Sequence, residues 1–206
     1  MAAEPSADYR YTSADAPWGE QIYRALERIL EARRLSGGRL IDLGCGNGAF
    51  AARLAARGFE VIGVDESPSG IQLAREVYPE VEFVEASVYD DLESKLGGFD
   101  VVTSVEVIEH LYDPRRFLHT FRGLLRSGGV GLITTPYHGY WKNLTLALSG
   151  RMDDHFTALW DGGHIKFFSL TTLGQLLREV GMCDIRFHRI GRIPPLAKSM
   201  IAEFST

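Results

Sequence analysis

The sequence predicts a single α/β domain over residues 1–206, with a doubly wound, mostly parallel sheet and helices on both of its faces. Short apolar runs alternate with helical segments through four strand–helix repeats, and such repeats form parallel sheets with right-handed crossovers. Glycines and acidic residues stand where these apolar runs end, which is the edge of a parallel sheet at which ligands bind. A chain of 206 residues is also long enough to bury a complete core.

The individual elements follow from the apolar spacing and from the residues that start and stop helices. Apolar residues at helical spacing, followed by glycines at 37–38, predict a first helix from Pro17 to Leu35. Pro68 and Pro114 mark the first turns of two later helices. The predicted strands cover residues 40–43, 61–65, 81–86, 99–104, 130–135 and 183–190, and the other predicted helices cover residues 49–57, 67–77, 114–126 and 169–181.

Three segments lack a clear periodic pattern. Residues 1–16 are small and polar and are predicted to be a flexible arm, whose Tyr9 and Tyr11 either fold over a ligand site or, as we favour, pack on the flank of the sheet. Residues 137–168 are rich in aromatic residues and histidines and are predicted to be a long functional loop. Residues 198–204 close the sheet as a seventh strand or form a helix, since they show no clean alternation.

The most informative stretch is the loop after the first strand, with glycines at positions 44, 46 and 48. Glycines are needed where the backbone takes a positive φ or where a ligand approaches the main chain closely. Asp42 precedes this loop, and its carboxylate could accept a hydrogen bond from a bound cation. The loop spacing alone also fits a dinucleotide site, so a nucleotide-dependent dehydrogenase is the alternative. Asp65, at the end of the next apolar run, favours a different cofactor.

Together with Asp65, the glycine loop resembles class I S-adenosylmethionine-dependent methyltransferases, whose fold is Rossmann-like with a seven-stranded sheet. In that family the acidic residue that closes the second strand binds both ribose hydroxyls, and the turn after the third strand contacts the adenine. The resemblance therefore implies S-adenosyl-L-methionine as the cofactor. The cofactor-binding residues that it implies are Asp42, Gly44, Cys45, Gly46, Gly48, Asp65, Glu66, Ser87, Val88 and Ser104.

Composition and charge argue against several other classes of protein. The net charge of -5 offers no basic surface for a phosphate backbone, so a nucleic-acid partner is not expected. Cys45 and Cys183 lie too far apart to indicate a disulfide framework or a zinc site. No apolar run approaches the ~18 residues of a transmembrane segment, and residues 1–16 lack the basic and apolar regions of a signal peptide. We therefore expect a cytoplasmic enzyme, whose oligomeric state the sequence leaves open.

Glu106, Glu109 and His110 follow the fourth strand at offsets that would place them on one face of a helix. Two carboxylates and an imidazole at the mouth of a cofactor site can hold a divalent metal. Two plainer interpretations stand beside this one. Glutamates are favourable in the first turn of a helix, and a single histidine is often a hydrogen-bonded core residue. The residues themselves leave these interpretations open.

Three stretches, residues 104–110, 132–136 and 163–169, together resemble the ubiquinone-pathway O-methyltransferases, which act on a polyprenyl catechol and use a divalent ion. The Glu-x-x-Glu-His element also resembles small-RNA 3′-terminal 2′-O-methyltransferases, which bind magnesium through two glutamates and two histidines. The resemblance to these families implies a site for Mg²⁺ or another divalent metal. Its ligands would be Glu106, Glu109, His110 and His164, with His155 as the alternative to His164.

The implied reaction is methyl transfer to a hydroxyl of a small or lipid-like acceptor, with Glu106, His110 and His164 as the catalytic candidates. A metal would lower the pKa of the acceptor hydroxyl, and without a metal His110 or His164 would act as the general base. Residues 137–168 would form an inserted acceptor-site or lid segment, or only a hydrophobic cover. The alternatives are an RNA 3′-terminal 2′-O-methyltransferase and a non-catalytic S-adenosylmethionine-binding module. The sequence does not identify the acceptor.

Overall fold

A computed structural model describes Tyr11, Ser13 and residues 19–156 and 158–206. Its helices are α1 (Glu20–Ala32), α2 (Ala49–Ala55), α3 (Pro68–Val77), α4 (Leu92–Leu96), α5 (Pro114–Leu124), α6 (Tyr140–Leu148), α7 (Met152–Phe156) and α8 (Leu170–Glu179). Its strands are β1 (Arg39–Leu43), β2 (Glu60–Asp65), β3 (Glu82–Glu85), β4 (Phe99–Val105), β5 (Leu125–Pro136), β6 (Cys183–Ile190) and β7 (Ser199–Ser205). Short 3₁₀ helices occupy Ile108–His110 and Pro194–Leu196.

The predicted flexible arm, residues 1–16, lies outside the described residues except for Tyr11 and Ser13. Tyr9 and Pro17, the predicted first residue of the first helix, also lie outside them. The described part of that helix, α1, begins at Glu20 and ends at Ala32, before the predicted end.

The strands form one sheet of seven strands in the order β3-β2-β1-β4-β5-β7-β6. β1 pairs in parallel with β2 and with β4, and the β2–β3 and β4–β5 pairs are parallel as well. Among the described strands, only β7 is antiparallel to its neighbours, which are β5 and β6. This confirms the predicted Rossmann-like, mostly parallel sheet. The order reverses between β1 and β4, and ligands bind at such a switch point.

Helices cover both faces of the sheet. Phe117 of α5 belongs to the same buried cluster as Ile41, whereas Leu26 of α1 belongs to a second cluster with Leu40. Because successive residues of a strand point to opposite faces, neighbouring residues of β1 contribute to different clusters. The sheet is therefore doubly wound, as the alternating strand and helix pattern predicts.

Residues 198–204, for which the sequence leaves a strand or a helix open, form a strand: β7 covers Ser199–Ser205. It lies between β5 and β6 as a strand, and residues 199–204 are all buried. Phe204 packs with its ring centroid 5.4 Å from that of Phe121. A strand covered on both faces needs no polar side, which explains why the sequence shows no alternation there.

Two predicted element assignments are wrong. Residues 137–168, predicted to be a loop, contain α6 and α7. β5 begins at Leu125, which falls inside the predicted helix 114–126, because Leu125 pairs with Phe99 at the start of β4. The structure also has a short helix, α4, that the sequence analysis does not assign, and the Asp91 side chain caps its first turn.

Within the described part of the chain, no helix combines the length and the apolar character that crossing a bilayer requires. The cytoplasmic location stays a prediction.

Candidate active site

The glycine loop joins β1 to α2 at the carboxyl edge of the sheet. Gly44, Gly46 and Gly48 have φ values of 77°, 54° and 77°, in the left-handed region that favours glycine. A Cβ atom at Gly44 would lie 2.4 Å from Cγ2 of Val107, and one at Gly48 would lie 2.6 Å from Cζ of Phe83. Both the backbone conformation and the close packing therefore require glycine at these positions.

Asp65, the last residue of β2, holds this loop in place. Its Oδ2 accepts a hydrogen bond from the Gly46 N–H at 2.8 Å, and its Oδ1 accepts one from the Ser67 N–H at 2.8 Å. Burial raises the pKa of Asp65, and these backbone hydrogen bonds oppose that rise. The carboxylate is thus fixed beside the loop before any ligand binds.

Asp42 lies within β1 and is only 2% exposed, so its carboxylate is not at an open strand tip as predicted. Thr103 of β4 donates a hydrogen bond to its Oδ1 at 2.7 Å. Burial raises the pKa of Asp42 to about 7; the Thr103 hydrogen bond lowers it and the charge of Asp65 raises it further. Ser104, another candidate, donates from its hydroxyl to the Leu43 carbonyl at 2.8 Å and so links β4 to β1.

The turn after β3 carries two predicted cofactor residues, Ser87 and Val88. Its conformation is held by Asp90, whose Oδ2 accepts a hydrogen bond from the Ser87 N–H at 3.2 Å. The turn lies beside Asp65, because the N–H of Ala86 donates to the Asp65 carbonyl at 3.0 Å. Asp90 is a residue that sequence reasoning missed, and an acidic residue in the turn after a strand was the available signal. Glu66, also a candidate, is exposed.

Tyr11 lies against the glycine loop rather than on the flank of the sheet. Its N–H donates to the Ser69 hydroxyl at 3.2 Å, and a Cβ atom at Gly46 would lie 2.6 Å from its phenolic oxygen. The side-chain amide of Asn47 also donates to the Ser13 carbonyl at 2.9 Å. These two arm residues therefore cover the loop, contrary to the interpretation that the sequence favoured.

The predicted helix with Glu106, Glu109 and His110 on one face does not form. β4 ends just before Glu106, which adopts a left-handed φ of 55°, and only Ile108–His110 form a short 3₁₀ helix. The Glu106 carboxylate instead accepts a hydrogen bond from the Thr134 hydroxyl of β5 at 2.9 Å. Burial raises the pKa of Glu106 to about 7.

Glu109 is fully buried, yet neither of its carboxylate oxygens has a hydrogen-bond partner among the described residues. Its main chain is held firmly, because its carbonyl accepts hydrogen bonds from the N–H groups of Ile165 and Lys166, both at 2.9 Å. Burial, together with the charge of Glu106, raises the pKa of Glu109 well above its usual range. Such an orphaned buried carboxyl group is costly and marks a place where a ligand can complete the structure.

His110 and His164 flank Glu109. The His164 Nε2 is 3.9 Å from a Glu109 carboxylate oxygen, and the two imidazole rings are 4.8 Å apart. His110 donates from Nδ1 to the Gly162 carbonyl at 2.8 Å, which leaves the lone pair of the neutral ring on Nε2. One ligand atom from each of these three side chains lies within 4.8 Å of the others, whereas Glu106 is not part of this group.

Both imidazoles of this group are in the form that binds a metal or accepts a proton. Burial lowers the pKa of His110, and burial together with the charge of His110 lowers the pKa of His164 to about 4. Near neutral pH the two rings are therefore uncharged.

Residues 137–168 add a second pair of imidazoles to this region. The His138 and His155 rings are 5.3 Å apart, and the Phe167 ring is 5.0 Å from that of His138. His138 Nδ1 and His155 Nε2 are buried and lack a hydrogen-bond partner among the described residues. His155, the alternative to His164 as a metal ligand, does not join the group around Glu109.

Lys142 of α6, itself one of residues 137–168, is buried, although no signal in the sequence marks it. Its Nζ donates to the Tyr137 carbonyl at 2.7 Å and to the Lys198 carbonyl at 3.2 Å, so it ties α6 to the ends of β5 and β7. Burial lowers the pKa of Lys142 to about 8, and its charge helps to lower the pKa of His138 and of His164.

Comparison with protein families identifies a methyltransferase domain over residues 15–185 of the chain. Two curated relatives are both named ubiquinone biosynthesis O-methyltransferase. The relative from Alkalilimnicola ehrlichii is 37% identical over 105 residues, which are 49% of this chain and 42% of the relative. The relative from Cereibacter sphaeroides is 31% identical over 173 residues, which are 79% of this chain and 68% of the relative. The chain thus spans less than half of one relative and about two thirds of the other.

Among solved structures, magnesium protoporphyrin IX methyltransferase from Synechocystis with bound SAH superposes with a TM-score of 0.69. The superposition covers 91% of this chain and 84% of that one, at 20% sequence identity. At this identity the likeness shows the fold alone.

Proposed function

Because the chain belongs to the methyltransferase-domain family and is an S-adenosylmethionine-dependent methyltransferase, we propose that it methylates a hydroxyl oxygen of a small or lipid-like acceptor with the help of a divalent metal. The observation that carries this proposal is Glu109, a fully buried carboxyl group without a hydrogen-bond partner among the described residues, beside His110 and His164. The names of the two relatives support oxygen as the methylated atom.

The cofactor is assigned to the carboxyl ends of β1, β2 and β4. Asp65 is the candidate for the ribose hydroxyls, because its carboxylate is already oriented by two backbone N–H groups. The glycine loop, which lacks Cβ atoms at positions 44, 46 and 48, lets the cofactor approach the main chain. Ser87 and Val88 are the candidates for the adenine, and Tyr11 adds a cover over the loop.

The residues around Glu109 fit a divalent cation. One orphaned carboxylate oxygen and one nitrogen from each of two neutral imidazoles lie within 4.8 Å of one another, and a mixed oxygen and nitrogen set suits magnesium, manganese or zinc. A bound cation would lower the pKa of an acceptor hydroxyl. We assign the direct contacts to Glu109, His110 and His164. Glu106, the predicted fourth ligand, would have to release Thr134 to join them.

The chain contributes to methyl transfer by positioning and by handling one proton. The acceptor hydroxyl loses its proton, to solvent if a cation acidifies it and to His110 or His164 otherwise. Its oxygen then bonds to the methyl carbon while the carbon–sulfur bond breaks, and the electron pair stays on sulfur as S-adenosylhomocysteine leaves. His110 is oriented for this role by the Gly162 carbonyl, and the aromatic side chains of residues 137–168 exclude water.

Calorimetric titration with magnesium, manganese and zinc in the presence of S-adenosylhomocysteine tests the metal assignment. We expect the wild type to bind at least one ion and Glu109→Gln to bind it at least about tenfold more weakly, because a charged ligand is lost. Glu179→Gln, which neutralises an exposed glutamate on α8, is the matched control and should bind as the wild type does. Glu109→Gln should unfold in urea at no lower concentration than the wild type, since it removes a buried carboxyl group that has no hydrogen-bond partner among the described residues.

Two results would contradict parts of this proposal. If S-adenosylhomocysteine binds but none of the three ions does, the site is a metal-free acid–base pocket. If a catechol probe incubated with S-adenosylmethionine gains a methyl group on carbon rather than on oxygen, the assignment of oxygen is wrong.

A further inference from the structure

A groove of about 800 Å³ lies between α1 and β6, and none of the candidate active-site residues lines it. We call it the α1–β6 groove. Ile29 and Ile190 form part of its apolar floor, and arginines of both elements surround it. The charged residues that line it, histidine aside, are Arg24, Arg28, Arg33, Arg186, Arg189 and Glu203.

Among the described residues, carboxylates pair with only two of these arginines. Arg24 pairs with Glu20 at 2.5 Å, and Arg33 bonds from Nε to Glu203 at 2.6 Å. Burial raises the pKa of Glu203, but its hydrogen bonds with His188 and Arg33 bring that pKa below the usual value, so Glu203 is ionised and fully used inside the groove.

Two of the other three arginines, Arg28 and Arg186, give the groove its excess charge. Their side chains are exposed and have no ion-pair or hydrogen-bond partner within the described part of the chain. Arg186 pairs across the strands with Glu203, which faces α1, whereas Arg189 pairs with Met200 and so points to the opposite face of the sheet. The excess stands out because the protein as a whole carries a net charge of -5. Guanidinium groups match the geometry of phosphate oxygens, which they bind through paired hydrogen bonds.

The size and lining of the groove favour a small ligand over a nucleic-acid strand. Its volume falls in the range of small-molecule sites, roughly 300–1,000 Å³. Single-stranded nucleic acids usually stack their bases on aromatic side chains, and no Phe, Tyr or Trp is among the described residues that line the groove. We propose that the α1–β6 groove binds a small molecule that carries two or more phosphate groups, with Arg28 and Arg186 as its unpaired phosphate contacts.

Hydrogen bonds connect a residue that lines the groove to the buried Lys142 of α6. The N–H of Lys198 donates to the carbonyl of Ile190, a lining residue, at 2.8 Å, and the Lys198 carbonyl accepts from the buried Lys142. The phosphate site is therefore separate from the methyl-transfer site but linked to it by a short chain of hydrogen bonds. An experiment on this proposal must therefore measure binding at the phosphate site alone.

Calorimetric titration with inorganic pyrophosphate, with S-adenosylhomocysteine saturating and a chelator present, isolates the groove. We expect binding that weakens as salt is raised, because the contacts are exposed ion pairs. The double variant Arg28→Ala/Arg186→Ala should weaken binding at least about tenfold, since hydrogen bonds to charged groups are lost. Arg178→Ala, which removes an exposed arginine of α8 on the other face of the sheet, is the control and should bind like the wild type.

A measurement on the wild type covers the case in which the double variant does not fold. Pyrophosphate should protect Arg28 and Arg186 from modification by phenylglyoxal, as read by mass spectrometry, and should leave Arg178 unprotected. The proposal is overturned if pyrophosphate does not bind at low salt, or if the double variant binds it as the wild type does. It is also overturned if a single-stranded oligonucleotide protects Arg28 and Arg186 and pyrophosphate does not.

Discussion

At the residue scale, three carboxyl groups of the candidate site differ in the number of hydrogen bonds that they accept. Asp65 accepts two backbone hydrogen bonds, Asp42 accepts one from the Thr103 hydroxyl, and Glu109 has no partner among the described residues. Burying a polar group without a partner costs free energy. Among these three carboxyl groups, that cost in the ligand-free protein is therefore highest at Glu109. That is why we assign the metal contact there and not to Glu106, which Thr134 already satisfies.

Asp42 should make the stability of the ligand-free protein depend on pH. Its pKa is raised from 3.8 to about 7, so the unfolded chain releases this proton at lower pH than the folded chain does. The resulting stabilisation is fully present below the unfolded pKa and is lost as pH rises through the folded pKa. The loss should be on the order of a few kcal/mol, because one pKa unit corresponds to about 1.4 kcal/mol. Urea denaturation between about pH 4 and about pH 8 measures it.

The variant Asp42→Asn should show a smaller loss of stability over the same pH range, and Asp153→Asn, at an exposed position, should behave as the wild type does. Glu106 and Glu109, whose pKa values are also raised, account for the dependence that remains in Asp42→Asn. Equal slopes in Asp42→Asn and the wild type would show that Asp42 is ionised in the folded protein.

At the scale of the elements, the glycine loop makes α2 start where the cofactor is expected. Gly48→Ala should destabilise the protein by about 1–2 kcal/mol for the left-handed φ and by a further ~1–3 kcal/mol for overpacking against Phe83. It should also weaken binding of S-adenosylhomocysteine, because the loop must shift. Urea denaturation and calorimetric titration measure the two effects.

Gly58→Ala is the matched control for this prediction. Gly58 has a φ of 93°, but a Cβ atom there would meet nothing within 4 Å. Its substitution should therefore cost only the backbone strain and leave cofactor affinity unchanged. If the two variants are equally stable and bind the cofactor equally well, close packing at Gly48 is not what the loop requires.

At the scale of the whole molecule, β7 joins the parallel part of the sheet to the edge strand β6. Phe204→Ala should destabilise the protein by about 3–5 kcal/mol, because Phe204 is 1% exposed and packs against Phe121. Phe167→Ala, at a half-exposed ring beside His138, should cost much less stability and should instead reduce methyl transfer to the acceptor. Urea denaturation and a methyl-transfer assay separate the two results.

This division of the molecule would be contradicted if Phe167→Ala lost much stability or if Phe204→Ala were as stable as the wild type. Binding of S-adenosylhomocysteine to both variants shows whether the cofactor side is still folded.

The sequence by itself determined the features that depend on local order along the chain. The strand and helix periods specify a doubly wound sheet, and the glycines at 44, 46 and 48 with Asp65 predict a cofactor edge, because turn conformations and strand ends are set by a few neighbouring residues. The family comparison confirms the resulting assignment as a methyltransferase.

Only the tertiary structure decided which distant groups meet. Glu106 takes a left-handed φ and does not join the group of Glu109, His110 and His164. His164 lies beside Glu109, and His155 stays outside the group. The tertiary structure also makes residues 199–204 a buried strand, and it assembles arginines of α1 and β6 into one groove. The physical reason is that contacts between residues far apart in the chain depend on how sheet, helices and side chains pack together, and no local pattern encodes that packing.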